Sequence, residues 1–244
     1  MKNLCIIPAR SGSKRIPRKN IKPFLGKPIM AYSIEAALES GLFDEVMVST
    51  DDEEFAEVAR QYGASVPFLR SAETASDYAT TRDVLIEVLN RYEERGVQFE
   101  RMACIYSTSP FVTANRLREA FAKLDDYDCV YPVVKFSYPI QRCLVIKDGY
   151  MYRKWPEFEN SRSQDLEPAY HDAGQYYFYR VDPFRKGEIS RINGIVLSEL
   201  EVQDIDTDID WRIAEIKYEI MKNNEFAWGG VQSLSFQCIN SIVP

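Results

Sequence analysis

Histidine, paired cysteines and long hydrophobic runs are scarce in this sequence. His171 is the only histidine among 244 residues, so a Ser-His-Asp triad or a histidine-rich metal site has almost no material. The five cysteines include no CxxC pair, which argues against a disulfide framework and against a zinc site. No stretch approaches the ~20 apolar residues that span a bilayer, and the apolar run at residues 4–7 is too short for a signal peptide. We therefore expect a cytoplasmic protein that does not contact a membrane.

Acidic residues are missing from the first 27 positions, although the chain as a whole is acidic. Residues 1–27 contain eight Lys and Arg residues and no Asp or Glu, so the net charge of −7 leaves −15 on the remaining residues. An acidic body does not suit general binding of nucleic acids. A concentrated basic segment without acids of its own predicts capture of one small, highly charged anion.

Apolar runs and helical patterns alternate along most of the chain. Strands are predicted at residues 4–7, 46–49, 102–106, 129–134, 175–181 and 202–205. Helices are predicted at residues 28–38, 53–62, 80–94 and 113–124, with a last helix that extends to about residue 222. This alternation is typical of an α/β fold in which a mostly parallel sheet carries helices on both faces. We predict one such domain over residues 1–225.

Two segments depart from the alternation. Between residues 138 and 170, aromatic, proline and charged residues mix with short β-like pieces, which predicts an insertion or small lobe, often an interface. Residues 226–244 contain no charged side chain. This uncharged tail is compatible with a terminal strand, a partner-binding segment or added sequence, so no function is assigned to it.

The segment from Pro8 to Asn20 is the most informative part of the sequence. It follows the first predicted strand directly, and ligands of open parallel sheets bind at the carboxyl ends of the strands. Ser11, Gly12 and Ser13 are small enough for backbone amides to approach a phosphate, and a glycine can adopt a positive φ. The surrounding lysines and arginines would neutralise a polyphosphate. No Walker sequence GxxxxGK[ST] is present, so the segment is a different kind of phosphate loop.

A solvated surface loop is the alternative interpretation of this segment. The eight positive side chains of residues 1–27, with no acid among those residues, repel each other unless an anion neutralises them. The charge pattern therefore favours a polyphosphate site.

The same segment resembles a known signature. Residues 6–20, IIPARSGSKRIPRKN, are similar to the signature of the CMP-sialic acid synthetases, also called acylneuraminate cytidylyltransferases. The similarity continues in order through VSTDD at residues 48–52, STSPF at 107–111 and DIDT at 204–207. This resemblance implies a Rossmann-like α/β fold, CTP as donor, a divalent metal ion (Mg²⁺ or Mn²⁺) and a homodimer.

Donor contacts follow from the resemblance position by position. The residues that match triphosphate and cytidine contacts of the family are Arg10, Ser13, Lys14, Lys19 and Asn20. Among them, Lys19 and Arg10 are expected to act in catalysis by stabilising the departing pyrophosphate. Arg70 and Thr81 match positions that reach the ribose and the cytosine, although Thr81 also suits the first turn of a helix.

Asp204 and Asp206 form a candidate metal site. Alternate residues of an extended segment point to the same side, and two adjacent carboxylates repel unless a cation lies between them. Mg²⁺ prefers oxygen ligands and often binds one or two carboxylates together with substrate phosphates. The alternative role is helix capping, which we assign to Asp208 and Asp210. The resemblance supports Asp204 and Asp206 as metal ligands and Asp206 as a catalytic residue.

The acceptor side departs from the sialic acid enzymes. Residues 160–177, NSRSQDLEPAYHDAGQYY, resemble the segment that lines the sugar pocket, and Arg162 matches an arginine that recognises the sugar carboxylate. Tyr106 stands where sialic acid enzymes have a glutamine, and His171 and Asp172 stand near their Asn-Gly pair. These departures are most similar to the pseudaminic acid branch. His171 is compatible with either a structural hydrogen bond or contact with acylamino groups of the sugar.

The predicted activity is transfer of a cytidylyl group from CTP to an acidic nonulosonic sugar, most like pseudaminic acid. Sialic or legionaminic acid is an alternative acceptor. A CTP-binding protein without catalysis is an alternative from a different class. No side chain in the sequence stands out as a general base.

Overall fold

The computed structural model describes residues 2–228. Its strands are β1 (Asn3–Pro8), β2 (Pro23–Phe24), β3 (Lys27–Pro28), β4 (Glu45–Ser49), β5 (Arg101–Ile105), β6 (Cys129–Lys135), β7 (Leu144–Lys147), β8 (Tyr150–Arg153), β9 (Tyr170–Asp172), β10 (Tyr176–Arg180) and β11 (Ile192–Leu197). Its helices are α1 (Ile29–Ser40), α2 (Glu53–Gln61), α3 (Ala72–Ala75), α4 (Thr81–Glu93), α5 (Ala114–Ala122), α6 (Val181–Lys186) and α7 (Asp208–Trp228).

The helices begin and end where local chemistry favours it. The predicted helices α1, α2, α4 and α5 are confirmed within two residues at each end. Asp52 caps α2, and Thr80 forms a capping box with Asp83 at the start of α4. Gly41 ends α1 in the left-handed conformation, with a φ of 65°.

A seven-stranded sheet forms the centre of the described chain. The order is β11-β6-β10-β5-β1-β4, and β9 pairs with the later part of β6. β1, β4, β5, β6 and β11 point in one direction, whereas β9 and β10 are antiparallel to them. The predicted mostly parallel sheet is therefore confirmed. The insertion of β10 between β5 and β6 separates two parallel groups of strands.

Helices cover both faces of this sheet, as predicted. In β1, Cys5 and Ile7 pack in a core with residues of α1, α2 and α5, whereas Leu4 and Ile6 pack in a second core with α4 and α6. This alternation follows from the two-residue period of a strand. All four side chains are fully buried.

The last helix, α7, packs beside the first loop through a third core. Trp211 lies 5.5 Å from Phe24 between ring centroids, and Ile16 and Ile205 are buried in the same cluster. Residues that are 190 positions apart in the chain are thereby held together. This packing brings the segment before α7 to the mouth of the first loop.

The prediction of a strand at residues 202–205 is wrong. β11 pairs with β6 along that edge, so the segment has no neighbouring strand. Side chains bind its backbone instead, since Lys217 donates a hydrogen bond of 2.7 Å to the carbonyl of Val202. β11 itself was missed because Asn193 and Gly194 resemble a turn.

The segment at residues 138–170 contains a separate hairpin of β7 and β8. Its apolar side chains are exposed, among them Ile146 at 78% and Tyr150 at 69%. The hairpin lies between β6 and β9, and the division into a domain and an insertion lobe stays a prediction. Within residues 2–228, no helix has the length and apolar character needed to cross a membrane. Of the predicted uncharged tail at residues 226–244, residues 226–228 belong to α7, and residues 229–244 lie outside the described residues.

Candidate functional site

The carboxyl ends of β1, β4 and β5 meet at one edge of the sheet. Pro8 pairs with Ser49 of β4, and Ser107 follows β5 closely. A cavity of about 420 Å³ lies at this edge. Its lining residues are Pro8, Arg10, Ser13, Lys14, Arg15, Ile16, Lys19, Asn20, Ser107, Thr108 and Asp206. The structure therefore gathers most of the predicted donor residues around one cavity.

Hydrogen bonds from neighbouring strands hold the first loop. The N–H and Oγ of Ser11 donate to the carboxylate of Asp51, at 2.9 and 2.7 Å. Partial burial alone would raise the pKa of Asp51, but the bonds from Ser11 outweigh it and lower that pKa. Ser107 donates through Oγ to the Pro8 carbonyl, at 2.8 Å. These contacts make the loop a shaped wall of the cavity.

The left-handed residue of this loop is Arg18 and not Gly12. Arg18 has a φ of 53°, whereas Gly12 has an ordinary backbone conformation and open space around its Cα. A left-handed conformation is uncommon for a residue with a side chain, and it occurs where surrounding contacts impose it. Here Arg18 turns the chain into a short 3-10 helix, Lys19–Ile21.

Asn20 is buried, with 5% of its surface exposed. Its amide nitrogen donates to the Arg10 carbonyl at 2.9 Å, and its amide oxygen accepts from Ser107 at 2.9 Å. Asn20 therefore joins the segments of Arg10 and Ser107 in the cavity wall through its side-chain amide. Direct contact with a nucleotide stays a prediction for this residue.

The basic segment has no acid of its own, but the fold supplies acids from elsewhere in the chain. The ion pairs are Arg10–Asp77, Lys14–Asp77, Arg15–Asp206, Lys19–Asp206, Arg18–Glu54, Lys22–Asp208 and Lys27–Glu35. Most of these partners lie far from the loop in sequence. Self-repulsion alone therefore does not require a bound anion, and the case for a phosphate site depends on the cavity and its donors.

Asp206 lines the cavity, whereas Asp204 is exposed and does not belong to the cavity lining. The carboxylate of Asp206 lies 2.7 Å from Arg15 and 3.6 Å from Lys19, and only 29% of its side chain is exposed. Within the described residues, no group of three or more metal-ligating side chains occurs. One or two carboxylates facing a phosphate cavity fit Mg²⁺, whose remaining ligands are commonly phosphate oxygens and water. Thr207 caps α7, because its Oγ accepts from the N–H of Asp210 at 3.2 Å, and the Asp210 carboxylate accepts from the N–H of Thr207 at 2.7 Å. Asp208, also predicted to cap this helix, pairs with Lys22.

Arg70 and Thr81, the other two predicted donor contacts, do not line the cavity at the first loop. Arg70 is 8% exposed and donates to Ser49 Oγ and the Ser49 carbonyl, at 3.1 and 2.6 Å. Burial lowers the pKa of its guanidinium, and the nearby Asp51 opposes that shift. Thr81 begins α4 and lies 3.4 Å, through Oγ, from the hydroxyl of Tyr106. Thr81 therefore lies next to the predicted acceptor side.

Tyrosines connect Thr81 with Asp172. The rings of Tyr106 and Tyr177 are 5.5 Å apart, and Tyr177 donates through its hydroxyl to Asp172 at 2.7 Å. Burial raises the pKa of Tyr106, so its hydroxyl stays protonated at neutral pH. Tyr177 was not singled out in the sequence, because only the pairing of β10 beside β5 brings it next to Tyr106. Polar tips on an aromatic wall suit recognition of a sugar.

His171 and Arg162 are less closely associated with this wall. His171 is exposed on β9, its Nδ1 lies 2.8 Å from the Asp172 carbonyl, and its ring lies 5.1 Å from Phe136. Arg162 is exposed, and within residues 2–228 no contact joins it to Tyr106 or Asp172. Their roles in sugar binding stay predictions.

A separate groove of about 560 Å³ lies at the opposite edge of the sheet. Phe99, Arg101 and Arg180 line it, at the start of β5 and the end of the antiparallel β10. Ligands of parallel sheets bind beyond the carboxyl ends of the strands, so the cavity at the first loop is the candidate functional site.

Sequence comparison identifies the family. The family described as Cytidylyltransferase matches residues 4–224 of this chain. Pseudaminic acid cytidylyltransferase from Campylobacter jejuni is 41% identical over 234 residues, which cover 93% of this chain and 100% of that protein. CMP-N,N'-diacetyllegionaminic acid synthase from Legionella pneumophila is 43% identical over 233 residues, which cover 90% of this chain and 97% of that protein.

Comparison of folds points to the same architecture. A structure of CMP:2-keto-3-deoxy-manno-octonic acid synthetase complexed with CTP superposes with a TM-score of 0.66. The two are 19% identical, and the match covers 91% of this chain and 100% of that structure. This likeness confirms the predicted Rossmann-like fold.

Proposed function

Since the chain belongs to the cytidylyltransferase family, we propose that it transfers the CMP group of CTP to pseudaminic acid, a nine-carbon 2-keto acid sugar. The products are the CMP-sugar and pyrophosphate. The observation that carries this proposal is the 41% identity to a pseudaminic acid cytidylyltransferase over the full length of that relative.

The cavity at the first loop is the proposed CTP site. Lys19, Arg10 and Lys14 face it with positive charge, and Ser13 lies on the same wall. A triphosphate would take these cations in exchange for their present carboxylate partners. Positioning and charge neutralisation supply most of the rate enhancement in transfers of this class.

In the proposed reaction, the anomeric C2 hydroxyl attacks the α-phosphorus of CTP in line. The bond to the bridging oxygen of the β-phosphate breaks, and pyrophosphate leaves with the bonding electrons. Lys19 and Arg10 stabilise the charge that develops on this leaving group. The proton of the attacking hydroxyl passes to water.

Asp206, with Asp204 beside it, is the proposed holder of a divalent metal ion. When bound, Mg²⁺ neutralises charge on phosphate oxygens and lowers the pKa of a hydroxyl near it. Arg15 and Lys19 lie within 3.6 Å of Asp206 in the structure, so a metal ion held there would share its carboxylate with them. The same two cations would lie close to phosphates bound in the cavity.

The proposed acceptor wall consists of Tyr106, Tyr177 and Asp172, with His171 near its rim. Its hydroxyls and carboxylate would bind hydroxyl and acylamino groups of the sugar. Arg162 is proposed to bind the sugar carboxylate, since a guanidinium pairs with a carboxylate through two hydrogen bonds.

A direct assay measures pyrophosphate release from CTP and Mg²⁺ with pseudaminic, legionaminic and sialic acids in turn. Highest kcat/KM with pseudaminic acid supports the proposal. Highest kcat/KM with legionaminic acid would assign the chain to that acceptor, as the 43% identity to a legionaminic acid synthase makes plausible. Tight CTP binding without pyrophosphate release from any of the sugars would indicate a CTP-binding protein without catalysis.

We further propose that the enzyme is a cytoplasmic homodimer joined through the hairpin of β7 and β8. The exposed apolar side chains of this hairpin are Leu144, Val145, Ile146, Tyr150, Met151 and Tyr152. An apolar patch of this kind on a surface hairpin is typical of an interface. The free, buried cysteines Cys5, Cys104 and Cys129 suit a reducing compartment.

A further inference from the structure

Asp77 pairs with Arg10 and Lys14, two of the cations that line the proposed CTP site. Its carboxylate lies 2.7 Å from Arg10 Nη1 and also pairs with Lys14 Nζ. Asp77 belongs to the segment between α3 and α4, on the far side of the first loop. A cavity of about 530 Å³ separates the two segments, and Arg10, Lys14 and Asp77 all contribute to its wall.

The geometry makes Asp77 resemble a bound anion. A carboxylate and a phosphate oxygen bind to the same N–H groups of arginine and lysine. Asp77 stays ionised at neutral pH, because hydrogen bonds from Lys14 and Arg10 lower its pKa. A phosphate that binds Nη1 of Arg10 and Nζ of Lys14 therefore competes with this carboxylate.

Displacement is inexpensive because these ion pairs are exposed. The side chain of Asp77 is 43% exposed, and those of Arg10 and Lys14 are 41% and 78% exposed. Exposed ion pairs contribute little, since water screens them. A ligand with several negative charges can outcompete a single carboxylate at such a site.

We propose that Asp77 is a built-in competitor for the phosphates beyond the α-phosphate of the donor nucleotide. This inference rests on the proposed function. It identifies Asp77 as a residue that sets the affinity of the site for the outer phosphates and its selectivity among anions. Asp77 rejects anions too weakly charged to displace it, and it returns to Arg10 and Lys14 when pyrophosphate leaves.

The opposite role would be positioning. In that case Asp77 would hold Arg10 and Lys14 in the arrangement that a phosphate requires, and its removal would weaken binding. The two roles predict changes of opposite sign, so a binding measurement separates them.

The experiment compares Asp77→Asn with the unaltered protein by calorimetric titration of inorganic triphosphate, CTP and CMP. We expect the Kd for triphosphate and CTP to fall about three- to tenfold, as loss of two exposed competing ion pairs implies. The Kd for CMP should not change, because CMP lacks the outer phosphates. Asp77→Glu retains a carboxylate and should bind all three ligands like the unaltered protein.

Glu73→Gln is the matched control. Glu73 is exposed on α3, four residues before Asp77, and within residues 2–228 no ion pair joins it to the first loop. Its neutralisation tests whether charge on the segment alone explains the effect, and we expect an unchanged Kd. Weaker or unchanged triphosphate binding by Asp77→Asn, or an equal gain by Glu73→Gln, would overturn the inference.

The titration with inorganic triphosphate also separates this inference from the proposed function. A protein that binds triphosphate more tightly after Asp77→Asn, yet does not bind CTP, supports the competitor role and contradicts the proposed donor. Normal turnover of CTP with no tightening in Asp77→Asn contradicts only the competitor role.

Discussion

Lys19 has a structural role in the fold and a proposed role in the reaction, and a substitution of Lys19 affects both. Its Nζ donates to the Ile205 carbonyl at 2.6 Å and lies 3.6 Å from Asp206, and 19% of its side chain is exposed. It therefore holds the segment before α7 against the first loop. In the proposed reaction the same charge acts on the phosphates.

Lys19→Met is expected to lower kcat/KM for CTP by about 10²–10³, the usual loss for one preorganised electrostatic contact. Pyrophosphate release at varied CTP measures the change. Lys2→Met is the control. This substitution also removes one positive charge from residues 1–27, but Lys2 does not line the cavity. An unchanged kcat and KM in Lys19→Met would remove Lys19 from the mechanism.

Asp206 is described equally well as a counter-ion of Arg15 and Lys19 or as a metal ligand. Asp206→Asn distinguishes these roles. If Asp206 holds the metal, kcat falls by at least about 10² and more Mg²⁺ is needed for half-maximal rate. We expect this outcome.

Turnover at a series of Mg²⁺ concentrations measures the effect of Asp206→Asn. Asp208→Asn is the control. Asp208 lies two residues after Asp206, pairs with Lys22, and has a side chain that is 80% exposed. Tighter CTP binding at an unchanged kcat in Asp206→Asn would show a counter-ion role alone.

At the scale of elements, Asp128 fastens the edge strand β11 to the sheet. Its carboxylate accepts from the N–H groups of Arg191 and Ser190, at 3.0 and 3.2 Å. These bonds lower the pKa of Asp128 from 3.8 to about 2. Asp128 precedes β6 directly, so the contact sets the start of the β6–β11 pairing.

Because its folded-state pKa is lowered, Asp128 contributes its full stabilisation above about pH 4, and the contribution is lost as pH falls towards 2. Asp128→Asn should therefore lower the Tm at pH 7, and the difference from the unaltered protein should shrink between pH 4 and pH 3. Thermal unfolding followed by circular dichroism measures both values.

The control for this pH effect is Asp126→Asn, an exposed acid two residues earlier. It should leave the Tm unchanged at every pH. A difference between Asp128→Asn and the unaltered protein that stays constant down to pH 3 would contradict the role of the ionised carboxylate.

At the scale of the whole molecule, two exposed apolar surfaces are candidates for self-association. One is the hairpin of β7 and β8, and the other is a row on α7 that includes Ile209 and Ile216. The hairpin projects as a separate two-stranded sheet, whereas α7 packs against the body. The hairpin is therefore the surface that we propose as the interface.

Ile146→Asp should convert the proposed dimer to a monomer, because it places a charge in an apolar interface. Light scattering coupled to size-exclusion chromatography measures the mass. Ile216→Asp is the matched control on α7, where 58% of the isoleucine is exposed. A dimer that survives Ile146→Asp but dissociates in Ile216→Asp would move the interface to α7.

Local patterns in the sequence were enough to predict most elements of the fold. The helices α1, α2, α4 and α5 follow from apolar periodicity and from caps such as Thr80 and Thr113, all of which act within a few residues. The position of the first loop after β1 follows from the same short-range patterns. The lining of the cavity by Arg10, Lys14 and Lys19 could be predicted from that position.

Contacts between distant segments could not be predicted in this way. β10 lies antiparallel between β5 and β6, which places Tyr177 beside Tyr106. Strand order depends on burial and pairing across the whole sheet, and alternation along the chain predicts only that strands exist.

The basic segment shows the same division. Its sequence by itself determined an excess of positive charge at the end of the first strand. Only the tertiary structure decided which acids neutralise it, since Asp77 lies 67 residues from Arg10 and Asp206 comes from a segment about 190 residues away. The physical reason is that electrostatic pairing depends on distance in space, and folding of the sheet and α7 sets those distances.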